Sequence, residues 1–166
     1  MDKNEIRDNV TLRLATEKDC KKIFYLFNDP LVRKNSVNQE KLDFKNHKAW
    51  FARKICDKNY IFLIAETKGL FAGQVRFDLK GDEALTGVSL HKRFRGYGLG
   101  KILLIRGMDY LKKYRPEISF ATGDIKPNNL AAVRNSEYAG FVFEKESVIS
   151  GEKFLRCKCD LRKRSR

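Results

Sequence analysis

At 166 residues, 42% of them hydrophobic and 34% charged, the chain has the size and composition of one globular domain, residues 1–166. No apolar run approaches membrane-spanning length and Met1-Asp2-Lys3-Asn4-Glu5 lacks a signal-peptide pattern, which argues against a membrane protein and sets the expectation of a cytoplasmic one. A formal charge of +14 calls for anionic partners, but only Leu161-Arg162-Lys163-Arg164-Ser165-Arg166 is a dense basic run; an excess spread this evenly suits anionic small molecules better than nucleic acid.

Val10 to Leu14 alternates as a short strand. Thr16, with Asp19 three residues on, is the expected N-cap of a helix carrying Ile23, Phe24 and Phe27, and Asn28-Asp29-Pro30 ends it. A second helix is expected from about Asp43 to Cys56, with Phe44, His47, Phe51 and Ile55 along one stripe. Strands follow at Tyr60 to Glu66, Phe71 to Leu79 and Ala84 to His91, the last two joined as a hairpin across Lys80-Gly81-Asp82. Next come a helix from Leu99 to about Tyr114, a strand near Ile118 to Thr122, a helix from about Asn129 to Ala139, and strands at Phe141 to Ile149 and Lys153 to Leu161. Residues 162–166 are expected to form a flexible basic tail. The order βααβββαβαββ predicts an α/β (α+β) fold, a central mixed and mostly antiparallel sheet of about seven strands with helices on both faces.

The cysteines give no disulfide or metal framework: Cys20 and Cys56 are isolated, and Cys157-Lys158-Cys159 puts two thiols on one face of a strand, a packing pattern. His47 and His91 are lone histidines without ligand spacing, so no metal is expected.

Chemistry enters at Val88-Ser89-Leu90-His91-Lys92-Arg93-Phe94-Arg95-Gly96-Tyr97-Gly98-Leu99-Gly100-Lys101, where a strand stops at a basic, glycine-dense turn that opens into a helix. Such a turn leaves backbone N–H groups at the helix start without intrahelical partners, and the helix dipole adds positive charge there. The product is a cradle for a diphosphate, with Gly96, Gly98 and Gly100 allowing close approach or positive φ. A dinucleotide fingerprint would need its glycines in the first βα unit, and a nucleotide P-loop would need Ser or Thr after Lys101, where Ile102 stands.

The spacing Arg95-x-x-Gly98-x-Gly100 resembles motif A of the GNAT-type N-acetyltransferase superfamily, and about thirty residues on, Asn129, Ala132, Gly140 and Phe141 occupy the places of that superfamily's later motif. The resemblance implies acetyl-CoA as co-substrate. It assigns Val88, Ser89 and Leu90 to backbone pairing with the pantetheine arm. Arg95, Gly96, Tyr97, Gly98, Leu99, Gly100 and Lys101 would hold the diphosphate, and Asn129 the coenzyme's amide region. Asp124 falls where relatives that acetylate protein N-termini carry an acidic base. The tyrosine that often protonates the departing thiolate is replaced by Ser136, and Tyr138 lies roughly 200° around the helix from it.

For the acceptor, the segment after the first helix together with the third strand resembles acetyltransferases of bacterial surface-glycan biosynthesis, which acetylate nucleotide-linked amino-deoxy sugars. That implies Trp50 stacking on a base or sugar, Arg33 or Arg76 holding a diphosphate, and Asn28, Asn35, Ser36 and Gln74 reading hydroxyls, with His47 beside them. A protein N-terminus or another small amine is the alternative acceptor, and a homodimer is compatible with the sequence.

Overall fold

The structure, a computed structural model, describes residues 2–164. A short helix, α1 (Lys3–Asp8), precedes strand β1 (Val10–Leu14) and was not expected. Asp2 caps it by accepting from the amides of Asn4 and Glu5. The Asp19 carboxylate accepts from the Thr16 amide as the capping pattern predicts, and a 3-10 turn there leads into α2 (Cys20–Phe27). The Asn28-Asp29-Pro30 stop is real, but the same residues begin a further helix, α3 (Pro30–Asn35): Asp29 takes the Leu31 and Val32 amides and Pro30 supplies the fixed φ of a first helical position. Helix α4 (Phe44–Cys56) follows, capped by Asp43.

Strands β2 (Tyr60–Thr67), β3 (Leu70–Lys80) and β4 (Glu83–Leu90) continue from β1 as an antiparallel meander. Almost every residue of β2 is buried, because helices cover both of its faces; hence its unbroken run Tyr60-Ile61-Phe62-Leu63-Ile64-Ala65. After α5 (Leu99–Tyr114) come β5 (Phe120–Ile125), α6 (Leu130–Tyr138), β6 (Val142–Ile149) and β7 (Glu152–Asp160). The seven strands stand in the order β1-β2-β3-β4-β5-β7-β6, a mixed sheet in which only β4 and β5 run parallel. The fold class read from the sequence is the one observed. β5 begins later than expected: Ile118 is buried in the connection, and the Ser119 and Phe120 amides both donate to Asp82 O.

One face of the sheet packs on α5, where Leu63, Val75, Phe77, Ala84 and Ala121 meet Leu104, Met108 and Leu111. Gly107 brings α5 close, since a Cβ there would lie 2.9 Å from Phe77 Cζ. The opposite face carries Tyr60, Phe62 and Ile64 against Ile23, Leu26, Phe27 and Phe51 of α2 and α4.

The basic tail is not free over its described part. Leu161–Lys163 forms a 3-10 turn capped by Asp160, which also pairs with the Arg162 guanidinium at 2.8 and 2.9 Å. Arg164 donates to Ala139 O at 2.6 Å and its own carbonyl accepts from Lys112. Ser165 and Arg166 lie outside the described residues.

Candidate active site

The parallel pairing of β4 with β5 lasts for three positions, Glu83↔Phe120, Ala84↔Ala121 and Leu85↔Thr122, and then the strands part. From Thr86 to Leu90 on one side and Gly123 to Ile125 on the other, the facing edges have no strand partner. A cleft of about 630 Å³ opens there, and its walls include Val88, Ser89, Leu90, Gly123 and Asp124. An extended polar chain laid between such edges finds donors and acceptors spaced as in a sheet.

At one end the cleft meets the glycine turn and the start of α6, through Gly100, Asn129, Ala132, Asn135 and Ser136. Gly98 is the N-cap of α5 in the left-handed conformation, φ 76°, with no capping side chain, so the first-turn amides of α5 are left for an external acceptor. Gly96, at φ 80°, faces open space. These are the features a diphosphate needs, and the loop fits that group.

The glycines do not all serve a ligand, however. A Cβ on Gly98 would meet the Arg7 guanidinium, and one on Gly100 would collide with Asn135 of α6, so Gly100 is a helix-packing glycine. The Leu99 side chain is wholly buried with Ile6, Phe94 and Leu103, and Tyr97 packs beside them; what these two residues can offer is main chain. Lys101 holds its ammonium 3.8 Å from the centroid of the Tyr138 ring on α6. Arg95 corrects the expectation most clearly. Its guanidinium is engaged by Leu90 O at 3.2 and 3.3 Å and by Asp29 Oδ1 at 2.6 Å, so it braces the turn against α3 instead of reaching for phosphate.

Asp29 responds to that brace. Burial pulls its carboxyl upward, but Arg95 and the Val32 and Leu31 amides outweigh this and hold it below the ordinary carboxylate range. Asn129 caps α6 by accepting from the Ala132 amide at 3.3 Å and stays on the cleft wall. Asp124 lines the cleft and accepts from Arg156 Nη1 at 2.9 Å, leaving Oδ1 uncommitted to that bond. Ser136 is buried on the wall of the cleft at the end that meets the glycine turn. Tyr138, 65% exposed, points elsewhere.

The other end of the cleft lies between α3, α4 and the sheet. Arg33, Asn35, Ser36, Trp50 and Arg76 all line it. Arg33 donates to Phe27 O, to Asn38 O at 3.0 Å, to Glu40 O at 3.3 Å and to Ser36 Oγ at 3.3 Å, so it shapes the loop after α3 through main-chain carbonyls and one hydroxyl. The Ser36 hydroxyl is occupied by Val32 O at 2.7 Å and by Arg33. Arg76 stacks its guanidinium 4.9 Å from the Phe27 ring centroid and crosses β4 at Gly87. Asn135, Gly87 and Lys126, which is paired with Glu152, belong to the same walls and carried no sequence signal of their own.

Three expected acceptor residues are structural instead. Asn28 spends both amide atoms on the Leu42 main chain, at 2.7 and 3.2 Å. His47 is 4% exposed, sits among Phe24, Phe27, Trp50 and Phe51, and directs Nε2 to Cys20 O at 3.1 Å. Burial lowers its pKa, which suits a neutral packing ring. Gln74 is fully buried off the cleft wall, and neither amide atom is hydrogen-bonded to a protein group. Among the described residues no cluster of three or more His, Cys, Asp or Glu side chains is arranged to hold a metal, and no helix is long and apolar enough to cross a membrane.

The family model described as acetyltransferase (GNAT) domain matches residues 9–142. No curated protein matches the sequence. Among solved structures, spermidine N-acetyltransferase from Vibrio cholerae in complex with CoA and spermine is 20% identical with a TM-score of 0.85, over 94% of this chain and 98% of that one. Aminoglycoside acetyltransferase AAC(6')-Ib in complex with coenzyme A and kanamycin is 20% identical, TM-score 0.80, over 94% and 99%. yncA, a putative acetyltransferase from Salmonella typhimurium with acetyl-CoA, is 23% identical, TM-score 0.77, over 95% and 97%. At these identities the likeness speaks for the fold.

Proposed function

The chain belongs to the GNAT acetyltransferase family, and on that footing we propose that it transfers the acetyl group of acetyl-CoA directly to the amine of a nucleotide-linked amino-deoxy sugar, as in surface-glycan biosynthesis. Bound acetyl-CoA supplies an acyl carbon activated as a thioester. The free amides at the start of α5 hold the diphosphate, and the unpaired edge at Val88, Ser89 and Leu90 holds the pantetheine arm and polarises the thioester carbonyl.

The acceptor amine must be neutral to attack. Asp124, through a water on its free oxygen, takes the proton that the amine loses as the C–N bond forms and the C–S bond breaks. Ser136, on the cleft wall with Asn129 and Ala132, relays a proton to the departing thiolate, its hydroxyl taking one from water as it gives one up. Holding both substrates in one cleft supplies much of the remaining rate.

The observation that carries the acceptor class is the charge balance of the cleft. Lys54 is set against Asp57 and Asp78, Arg95 against Asp29, Lys126 against Glu152 and Asp124 against Arg156. Arg33 and Arg76 line the acceptor end and pair with no carboxylate among the described residues. They are close enough that the charge of Arg76, after burial, lowers the pKa of Arg33. Two neighbouring guanidiniums without counter-charge repel a polycation and suit a diphosphate. Trp50, packed on Phe27 and Tyr60, offers an aromatic wall for a base or sugar face.

A thiol-release assay with an acceptor panel tests this. A UDP-linked 4-amino-4,6-dideoxy sugar is expected to be consumed, with inhibition by UDP alone, while spermidine, kanamycin and an amine-terminated peptide stay inert. Turnover of the cationic acceptors with silence toward the nucleotide sugar overturns the acceptor class and leaves the family assignment standing.

A further inference from the structure

The geometry points to Arg7, on the helix that precedes the family-matched region, as the residue that aims the phosphate-binding turn. The family match begins at residue 9, so α1 stands outside it. The inference rests on the reading of residues 96–101 as the diphosphate cradle.

Arg7 Nε donates to Tyr97 O at 2.6 Å across ninety positions of sequence. A trans peptide is planar, with its C=O and N–H pointing in opposite directions. Pinning the Tyr97 carbonyl toward α1 therefore turns the Gly98 N–H the other way, away from α1. The Tyr97–Gly98 peptide would otherwise be free to flip, since a flip changes ψ of Tyr97 and φ of Gly98, and a glycine at 98, here at φ 76°, accepts either sign of φ. A flip would exchange the amide for a carbonyl oxygen, and a carbonyl repels phosphate.

The guanidinium lies flat behind Gly98. A Cβ there would come within 3.1 Å of Arg7 Nη2, so the absence of a side chain at 98 makes room for the arginine as well as for the backbone conformation. Its charge adds to the positive end of α5 at the same spot. α1 is held well enough to serve as a fixed support. Ile6 is fully buried with Val10, Ala65 and Leu99, Thr67 Oγ1 donates to Ile6 O at 2.9 Å, and Lys68 pairs with Glu5. Arg7 is thus a positioning residue. It acts on the coenzyme through the Tyr97–Gly98 peptide.

The test is Arg7→Ala in the full chain, measured by calorimetric titration with coenzyme A and by steady-state kinetics with two donors, acetyl-CoA and S-acetylpantetheine, which lacks the diphosphate. The expected result is a rise of about tenfold in the coenzyme A Kd and in the KM for acetyl-CoA, the size of losing a hydrogen bond to a charged group. The kcat at saturating donor and the kinetics with S-acetylpantetheine stay as in the wild type. Equal Kd values for variant and wild type overturn the assignment of Arg7 alone. Losses of equal size with both donors overturn it too, because they mean that the substitution damages the fold and not the diphosphate site. Wild-type protein that gives no heat with coenzyme A overturns the cradle itself.

Discussion

A Cβ built on Gly87 falls 2.8 Å from Cζ of Arg76, so the arginine on β3 occupies the volume that a side chain on β4 would fill. The two residues are register partners, and the glycine lets the guanidinium lie across the strand into the cleft. Gly87→Val is expected to drive Arg76 out of this position and to raise the acceptor KM by about tenfold or more, the scale of losing a charge-assisted contact. The coenzyme A Kd, measured by titration, should stay near the wild-type value.

Asp124→Asn keeps the shape of the residue and its place beside Arg156 but removes the proton acceptor. A well-placed base contributes about 10²–10⁴ in rate, so kcat near neutral pH should fall within that range while coenzyme affinity holds. An unchanged kcat would clear Asp124 of the role.

Asp29 joins α3, the glycine turn and the end of β4 through one carboxylate. Asp29→Ala removes a helix cap and the partner of Arg95, and a cost of about 1–2 kcal/mol is expected in urea unfolding at pH 7. The pH dependence has a definite sign. The folded carboxyl lies below its ordinary value of 3.8, so it stabilises the fold above that pH and the advantage fades as pH falls through the folded-state value. The gap between wild type and variant should therefore close on acidification below about pH 3.8 and not on moving toward pH 8.

Three of the four thiols should separate in a labelling experiment with a disulfide reagent at pH 8. Cys56 is exposed and should react at once. Cys157 and Cys159 are buried, and desolvation pushes the Cys157 thiol up to about 12, so both should react only on unfolding. Rapid labelling of Cys157 and Cys159 in native protein would contradict their burial.

The long elements were legible because period and punctuation agree in them: β2, α4, α5 and the β3–β4 hairpin all lie within a few residues of their expected bounds. Helices α1 and α3 were missed for a common reason. Each has six residues, too few for an apolar stripe to repeat, and in α3 the Asp-Pro pair was read only as a stop although it also begins the next helix. The glycine turn that opens α5 was visible because it is a local, main-chain feature. Side-chain roles were less so, since a sequence shows which residues are near in the chain and not what their polar atoms already hold: Arg95 belongs to Leu90 and Asp29, Asn28 to Leu42, His47 to Cys20. Arg7 and Gly87 had no local pattern to announce them, because each is defined by a partner far along the chain or across a strand.

The brevity of the β4–β5 contact has a mechanical consequence. Three residue pairs join the meander that ends at Leu90 to the three strands that follow α5, so the sheet is thinnest at its middle. On the proposed reading, a donor bound between those edges would act as mortar as well as reactant. Saturation at about a hundred times Kd would add roughly 2.7 kcal/mol to the folded state, and those amides of residues 86–90 that face the gap, not the ones paired with β3, should exchange with deuterium faster until the gap is filled.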